Sequence, residues 1–339
     1  MKDKLDFIVI GAQKAGTSSL YEHLRQHPEI WLPAAKEAPF FSHDSVFKRG
    51  FDTYLKAVGF SGQERRWGTV TPQYMVGGVY ERGKGKAAAA AYDERTVPLR
   101  IHECLPDVRL VAILRDPVER ARSHHQMMVM NRFEERSFDE AVEQLLRPES
   151  LADSRKNPDP TTGYVTWGEY GRILAGYFSV FPAEQLLVLF TTELEQAPEE
   201  LLARVHGFLG VSADFVPDNL GVKYRPGGSE RRFAWLSPYR RLSPQGVKRS
   251  LKHRGAARAA WRLLPGRSRM RLRYGFDHFG YKVELWNRRE GQAVAPPSPA
   301  AVARLREHYE QDAGELATLL RASLPWRAPS PVVTAPKSA

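Results

Sequence analysis

Residues Leu5 to Leu20, LDFIVIGAQKAGTSSL, constrain this chain more than any other stretch. The apolar run Phe7 to Ile10 reads as a buried strand, Gly11 and Gly16 bracket a tight loop, and Thr17-Ser18-Ser19 open a helix. A strand that runs through a glycine loop into a helix aims several backbone N–H groups at one point, which suits a phosphate-like anion. Gly11 and Gly16 let the backbone turn and approach a ligand closely. Ala12, Gln13, Lys14 and Ala15 form the loop between them; Lys14 adds a full positive charge, and Thr17, Ser18 and Ser19 add hydroxyl donors. The glycine spacing matches the Walker A pattern, but Thr17 stands where that pattern has lysine, and the lysine comes two places before the second glycine. A conventional Mg–nucleoside triphosphate site is therefore not expected, although a kinase or ATPase on the same fold is a rival reading. An ordinary strand–helix turn with incidental glycines is the bland alternative.

A second strand of this quality, VRLVAIL from Val108 to Leu114, ends in Arg115-Asp116-Pro117. Asp116 is a good helix N-cap and Pro117 suits the first helical turn. Arg115 then sits at the carboxyl end of a strand, where open α/β sheets bind ligands. Arg120 falls one turn into the helix and Ser123 about two turns in, so Arg115 and the Ser123 hydroxyl would grip one anion together. Taken alone, Arg115-Asp116 reads equally well as a surface ion pair. Together the two motifs suggest a ligand with two separate anionic ends.

At this point the chain resembles a family. GAQKAGTSSL is similar to the 5′-phosphosulfate loop of sulfotransferases that use 3′-phosphoadenosine 5′-phosphosulfate (PAPS), and LVAILRDPVERARSHH is similar to their 3′-phosphate motif. LPAAKEAPFF resembles the segment after the first helix in heparan-sulfate-type and bacterial members. YFSVFPAEQLLVLFTTEL with LLARVHGFLGV, and LREHYEQDAGELATLL, resemble the later strand and helix and the closing helix. The likeness covers residues 5 to about 235 and 300 to 326. It implies PAPS as donor and 3′,5′-ADP (PAP) as product, with no metal, and O-sulfation of a hydroxyl on a sugar or glycolipid. Gly11 to Ser19 would hold the 5′-phosphosulfate, with Lys14 the chief electrostatic catalyst, and Arg115 and Ser123 would hold the 3′-phosphate. Glu37 of KEAPFF matches the glutamate base of the heparan-sulfate-type branch. A carboxylate base near neutrality needs burial, for which Phe40, Phe41 and Trp31 are at hand; the plainer reading pairs Glu37 with Lys36. Arg231 or Arg232, in the basic loop KYRPGGSERRF, would cover the 3′-phosphate and adenine, or be part of a solvated charge run. Two departures bear on the acceptor. Val70 stands where related enzymes often have a lysine before Thr-Pro, and Pro39 where they often have His or Gln. His124-His125 are adjacent, so on a helix they point apart, which favours structural or solvent-facing roles over catalysis.

The net charge of +11 is uneven. Lys223 to Arg289 holds 19 Lys and Arg against 3 Asp and Glu, so the rest of the chain is net acidic. Arginines interleaved with Leu, Trp and Tyr there suit a basic helical excursion over the cofactor cleft, then anionic lipid headgroups or a polyanionic acceptor; nucleic acid ranks last because no reader motif accompanies it. No apolar run reaches membrane-spanning length. The first strand follows Met1 within a few residues and no signal-peptide pattern precedes it, so neither leader nor anchor is expected. A single cysteine, Cys104, rules out disulfides within the chain and makes a reducing cytoplasm the expected compartment, with peripheral contact at the inner membrane surface through the basic segment. A non-enzymatic basic binder at a membrane or polyanion is the third functional reading.

The expected architecture is a P-loop-like α/β fold, a mostly parallel central sheet flanked by helices on both faces. Residues 1–326 would form one domain, with the basic excursion at about 236–290 and a disordered tail over 327–339. Residues 84–95 read as an Ala-rich insertion and 147–163 as a polar surface loop.

Overall fold

The computed structural model describes residues 4–33, 36–37, 39–59, 65–76, 93–131, 133–218, 220 and 295–326, together with the backbone of 229–231 and 288–290. The Ala-rich insertion up to residue 92, Arg232, nearly all of the basic excursion and the tail from 327 lie outside the described residues. The chain divides into two compact units, Met1–Tyr224 with Ala295–Ala339, and Arg225–Val294.

In the first unit the elements run β1 (Phe7–Gly11), α1 (Thr17–Leu24), β2 (Ile30–Trp31), α2 (Asp44–Phe47), α3 (Phe51–Val58), β3 (Arg66–Val70), α4 (Thr96–Cys104), β4 (Arg109–Leu114), α5 (Pro117–Met130), α6 (Phe138–Leu145), α7 (Pro148–Lys156), α8 (Tyr170–Phe178), β5 (Leu186–Phe190), α9 (Thr191–Gln196), α10 (Pro198–Leu209) and α11 (Pro299–Leu320). In the second unit the described residues form one antiparallel pair, β6 (Ser229–Arg231) with β7 (Arg288–Glu290). No described helix is long and apolar enough to cross a membrane.

The five strands of the first unit lie in the order β2-β3-β1-β4-β5, every neighbouring pair parallel. A parallel sheet needs crossover connections, and these place helices on its faces, so its strands are apolar on both sides. Alternate residues of each strand serve opposite faces. Ile8 and Ile10 of β1, with Leu110, Ala112 and Leu114 of β4, pack with α4, α8 and α11 through Ile101, Ile173, Tyr177 and Leu316. Phe7 and Val9, with Val111 and Ile113, pack on the other face with Leu20 and Leu24 of α1 and Leu202 and Val205 of α10. Helices thus cover both faces, as expected. A third cluster joins α5, α6 and α11 through Val118, Phe138, Leu305 and Tyr309.

The strand order reverses direction at β1. From β1 the chain crosses to the edge strand β2, returns inward to β3, then passes β1 to reach β4 and β5, so the connections leaving the adjacent strands β1 and β4 run to opposite sides, and a ligand crevice opens at such a switch point. The loop after β1 and the loop after β4 therefore emerge side by side. Residues 147–163 depart from expectation in part: Pro148 starts α7, a helix of nine residues with Ser154 its buried residue, while 157–163 are the turns expected.

Candidate active site

β1 ends at Gly11, where a Cβ would stand 2.5 Å from the Met75 Cβ, so no side chain fits. Ala12 N–H donates to Ile113 O (2.8 Å), which fastens the start of the loop to β4. Lys14 takes a left-handed backbone, φ 71°, which costs a non-glycine residue energy and persists only where the surroundings impose it. Gly16, φ 98°, is the N-cap of α1 and bears no side chain to cap it. Thr17, Ser18 and Ser19 make the first turn, which carries no acidic residue. The first N–H groups of a helix have no carbonyl one turn back and bear partial positive charge, so this terminus presents donors to an anion. Gln13 adds a buried Oε1 with no hydrogen-bond partner among the described residues. Thr191, the first residue beyond β5, sets its Oγ1 2.7 Å from Ala15 O and 3.0 Å from Leu114 O, sharing one proton between the loop and the end of β4.

Arg115 follows β4 directly. Its carbonyl accepts from Tyr170 Oη (3.0 Å), and its guanidinium lies 3.5 Å from Glu119 Oε2, about one-third exposed. Asp116 caps α5 as expected, accepting from Val118 N (2.9 Å) and Glu119 N (3.2 Å), while Arg306 of α11 donates to its other oxygen. Ser123 is half-buried on α5. One residue further, His124 is fully buried, with Tyr164 and Trp167 packed against its ring. Burial holds His124 well below the usual histidine value, and the positive charges of Arg120 and then Lys14 push it the same way. The neutral ring accepts at Nδ1 from Arg120 Nη1 (3.3 Å). Arg120, fully buried, also donates to the carbonyls of Tyr164 and Gly163 and so ties α5 to the segment before α8. His125 is buried too, with Nε2 3.0 Å from Arg136 O. Both histidines are thus buried rather than solvent-facing.

Glu37 is held by two side chains. Lys36 Nζ donates to its Oε1 (3.2 Å) and Gln73 Nε2 to its Oε2 (2.9 Å). The pairing with Lys36 is therefore present, and Gln73 is a partner that sequence reading did not foresee. The expected burial of Glu37 by these aromatics is not found, because they pack on one another. Phe40 and Phe41 are buried among Phe47, Phe51, Tyr54 and Tyr74, and Trp31 stacks on Trp67 (3.8 Å), while the Glu37 side chain stays 38% exposed. The Lys36 side chain is only 9% exposed.

Gly11 to Ser19 and Arg115 thus lie at the ends of the adjacent strands β1 and β4, with Ser123 inside α5 and Glu37 bonded to Gln73 in the turn after β3. Arg231 lies on β6 in the second unit, where the backbone alone is described, and Arg232 falls outside the described residues. Sequence reading missed Thr191 and Gln73. Thr191 carried one usable signal, its place just past the apolar strand LLVLF; Gln73 carried none.

Residues 4–221 match the sulfotransferase domain family model. The chain is 29% identical over 220 residues to a bifunctional heparan sulfate N-deacetylase/N-sulfotransferase of Drosophila melanogaster, a match covering 60% of this chain and 19% of that protein. It is 28% identical over 207 residues to heparan sulfate glucosamine 3-O-sulfotransferase 3A1 of Mus musculus, covering 60% of this chain and 45% of that one. The chain thus aligns with less than half the length of either relative. A sulfotransferase from Alicyclobacillus acidocaldarius shares the fold, with TM-score 0.60 at 22% identity over 95% of this chain and 97% of that one.

Proposed function

Because this chain belongs to the sulfotransferase family, we propose that it moves the sulfuryl group of PAPS to a hydroxyl of a carbohydrate or glycolipid acceptor. The observation that carries this reading is the adjacency of two cationic anion sites. The Lys14 loop is bonded through Ala12 N to β4, and β4 runs directly into Arg115 and the helix bearing Ser123. This donor set suits a ligand with a phosphosulfate at one end and a phosphate at the other. The displaced lysine argues against the kinase reading. The carbohydrate class is supported by the heparan sulfate relatives, whose names state acceptors of that kind.

The loop N–H groups, Lys14 and the first-turn hydroxyls bind the 5′ end and Arg115 with Ser123 the 3′-phosphate. The donor supplies an activated sulfuryl group. Glu37 takes the proton from the acceptor hydroxyl as its oxygen bonds to sulfur; the bridging S–O bond breaks and its electron pair leaves on 3′,5′-ADP. Lys14 meets the charge that grows on the leaving phosphate, so its effect is largest in the transition state. Lys36 and Gln73 hold the Glu37 carboxylate in place before the acceptor arrives.

We place the protein in a reducing cytoplasm on the strength of its single cysteine, Cys104, with its basic segment against anionic lipid headgroups at the inner membrane surface. To test the activity, the protein is incubated with radiolabelled PAPS and glycan and glycolipid extracts, and the labelled product is identified by mass. Label on a carbohydrate oxygen is expected; label on nitrogen overturns the O-transfer reading. Thermal stabilisation by 3′,5′-ADP without Mg²⁺ is expected in parallel, and a response to Mg-ATP alone overturns the donor.

A further inference from the structure

The side chain of Gln73 makes one hydrogen bond with its amide nitrogen and leaves its amide oxygen buried without a partner among the described residues. Chemistry settles which atom is which. An ionised carboxylate only accepts, so the atom 2.9 Å from Glu37 Oε2 is the NH₂ group, and the other must be the carbonyl. A buried carbonyl without a donor carries its full desolvation penalty until something bonds to it.

Gln73 is also held firmly. It lies in the 3-10 turn Pro72–Val76 that follows β3. Its neighbour Tyr74 is fully buried, accepts at Oη from Phe40 N (2.8 Å) and is bonded at its carbonyl by Tyr177 Oη. Met75, one residue on, lies against Gly11 at the base of the anion-binding loop. The turn therefore bridges the segment carrying Glu37 and the loop carrying Lys14. A glutamate that is 38% exposed has several rotamers open to it, and freezing one costs entropy that Lys36 and Gln73 offset by bonding to opposite oxygens.

We propose that Gln73 is a positioning and specificity residue: its NH₂ group fixes the Glu37 carboxylate, and its Oε1 receives a donor group next to the hydroxyl that is sulfated. The proposal rests on Glu37 being the base. The reacting hydroxyl has one proton, and that proton goes to Glu37, so the hydrogen bond to Oε1 comes from a second group on the acceptor. The acceptor is therefore a compound with neighbouring O–H or N–H donors, as amino sugars and vicinal diols have, rather than a simple alcohol.

The test uses the full chain and two variants, Gln73→Met, which keeps side-chain length and removes both polar atoms, and Glu37→Gln. Release of 3′,5′-ADP from PAPS is followed from pH 5.5 to 9, with a glucosamine-containing heparosan oligosaccharide as acceptor and with water alone. The water arm reads the base whatever the acceptor. Gln73→Met is expected to lower kcat at least tenfold, leave the KM for PAPS within twofold, raise the KM for the oligosaccharide, and move the acid limb of the rate profile to higher pH, because the carboxylate has lost a donor. Thermal stabilisation by 3′,5′-ADP equal to that of the parent shows that the donor site is intact; Gln73→Ala takes the place of the methionine variant if it fails that check. If Glu37→Gln removes the acid limb while the Gln73 variant leaves kcat and limb unchanged, the role of Gln73 is overturned and the base assignment stands. If Glu37→Gln itself leaves the limb in place, the base assignment is overturned and this proposal with it.

Discussion

Lys14 is placed by its backbone as much as by its charge. Its left-handed φ turns the loop so that Ala15 can present its carbonyl to Thr191. If Lys14 meets the charge on the leaving phosphate, Lys14→Ala lowers kcat by about 10²–10³, some 3–4 kcal/mol of barrier, with a much smaller change in affinity for 3′,5′-ADP measured by calorimetry. Arg115→Gln should do the reverse. Loss of a charge-assisted bond worth roughly 1.5–3 kcal/mol weakens 3′,5′-ADP about ten- to a hundredfold, yet leaves adenosine 5′-phosphosulfate, which lacks the 3′-phosphate, almost unchanged. Both residues were legible because their motifs are local, a few residues between strand and helix. The Glu37–Gln73 contact joins positions 36 apart on two loops, and nothing in either loop's composition announces it. The burial of Arg120 was not legible, since two of its partners are backbone carbonyls some forty positions away.

At the scale of elements, the strands and most helices declare themselves by period and by their ends. β1, β4 and β5 are short apolar runs because both faces of each are covered. α5 begins where Asp116 and Pro117 say it should. α7 hid because PESLADSRK has no apolar stripe; Pro148 at its first position and basic residues in its last turn mark it as a helix, and packing asks little of it. Asp116 does double duty, capping α5 and receiving Arg306 from α11. Asp116→Ala should cost about 1–2 kcal/mol in urea denaturation, while Asp116→Asn, which can still cap, should recover most of that. An equal loss in both variants would assign the effect to the Arg306 pair instead.

For the whole molecule, three buried titratable groups predict how stability follows pH. His206 of α10 is buried edge-on to His27 (4.5 Å), and burial, with a smaller push from His27, lowers it from 6.5 to about 4. The unfolded chain therefore takes up this proton at a higher pH than the folded one. The stabilising effect of keeping the ring neutral is complete above pH 6.5 and drains away as pH falls toward 4. Between pH 7 and 5 the wild type should lose about 2 kcal/mol more than His206→Phe, read from urea midpoints at each pH. Glu134 and Glu169, each lowered to about 2 despite the opposing effect of burial, by ion pairs and hydrogen bonds with Arg136 and with His308 and Arg155, add a further loss that begins only below about pH 4.5.

The position of β1 in the sheet has a consequence for how the chain is made. This strand is synthesised before both of its neighbours, yet it ends in the middle, paired with β3 at Gly68 and with β4 at Arg109. Its loop is then fastened by Thr191, later still. On a ribosome the residues that would grip the donor are made before the strands and the threonine that organise them. The contacts that fix the Lys14 loop in the finished fold, to Ile113 of β4 and to Thr191 after β5, therefore come from chain made about a hundred residues or more after it.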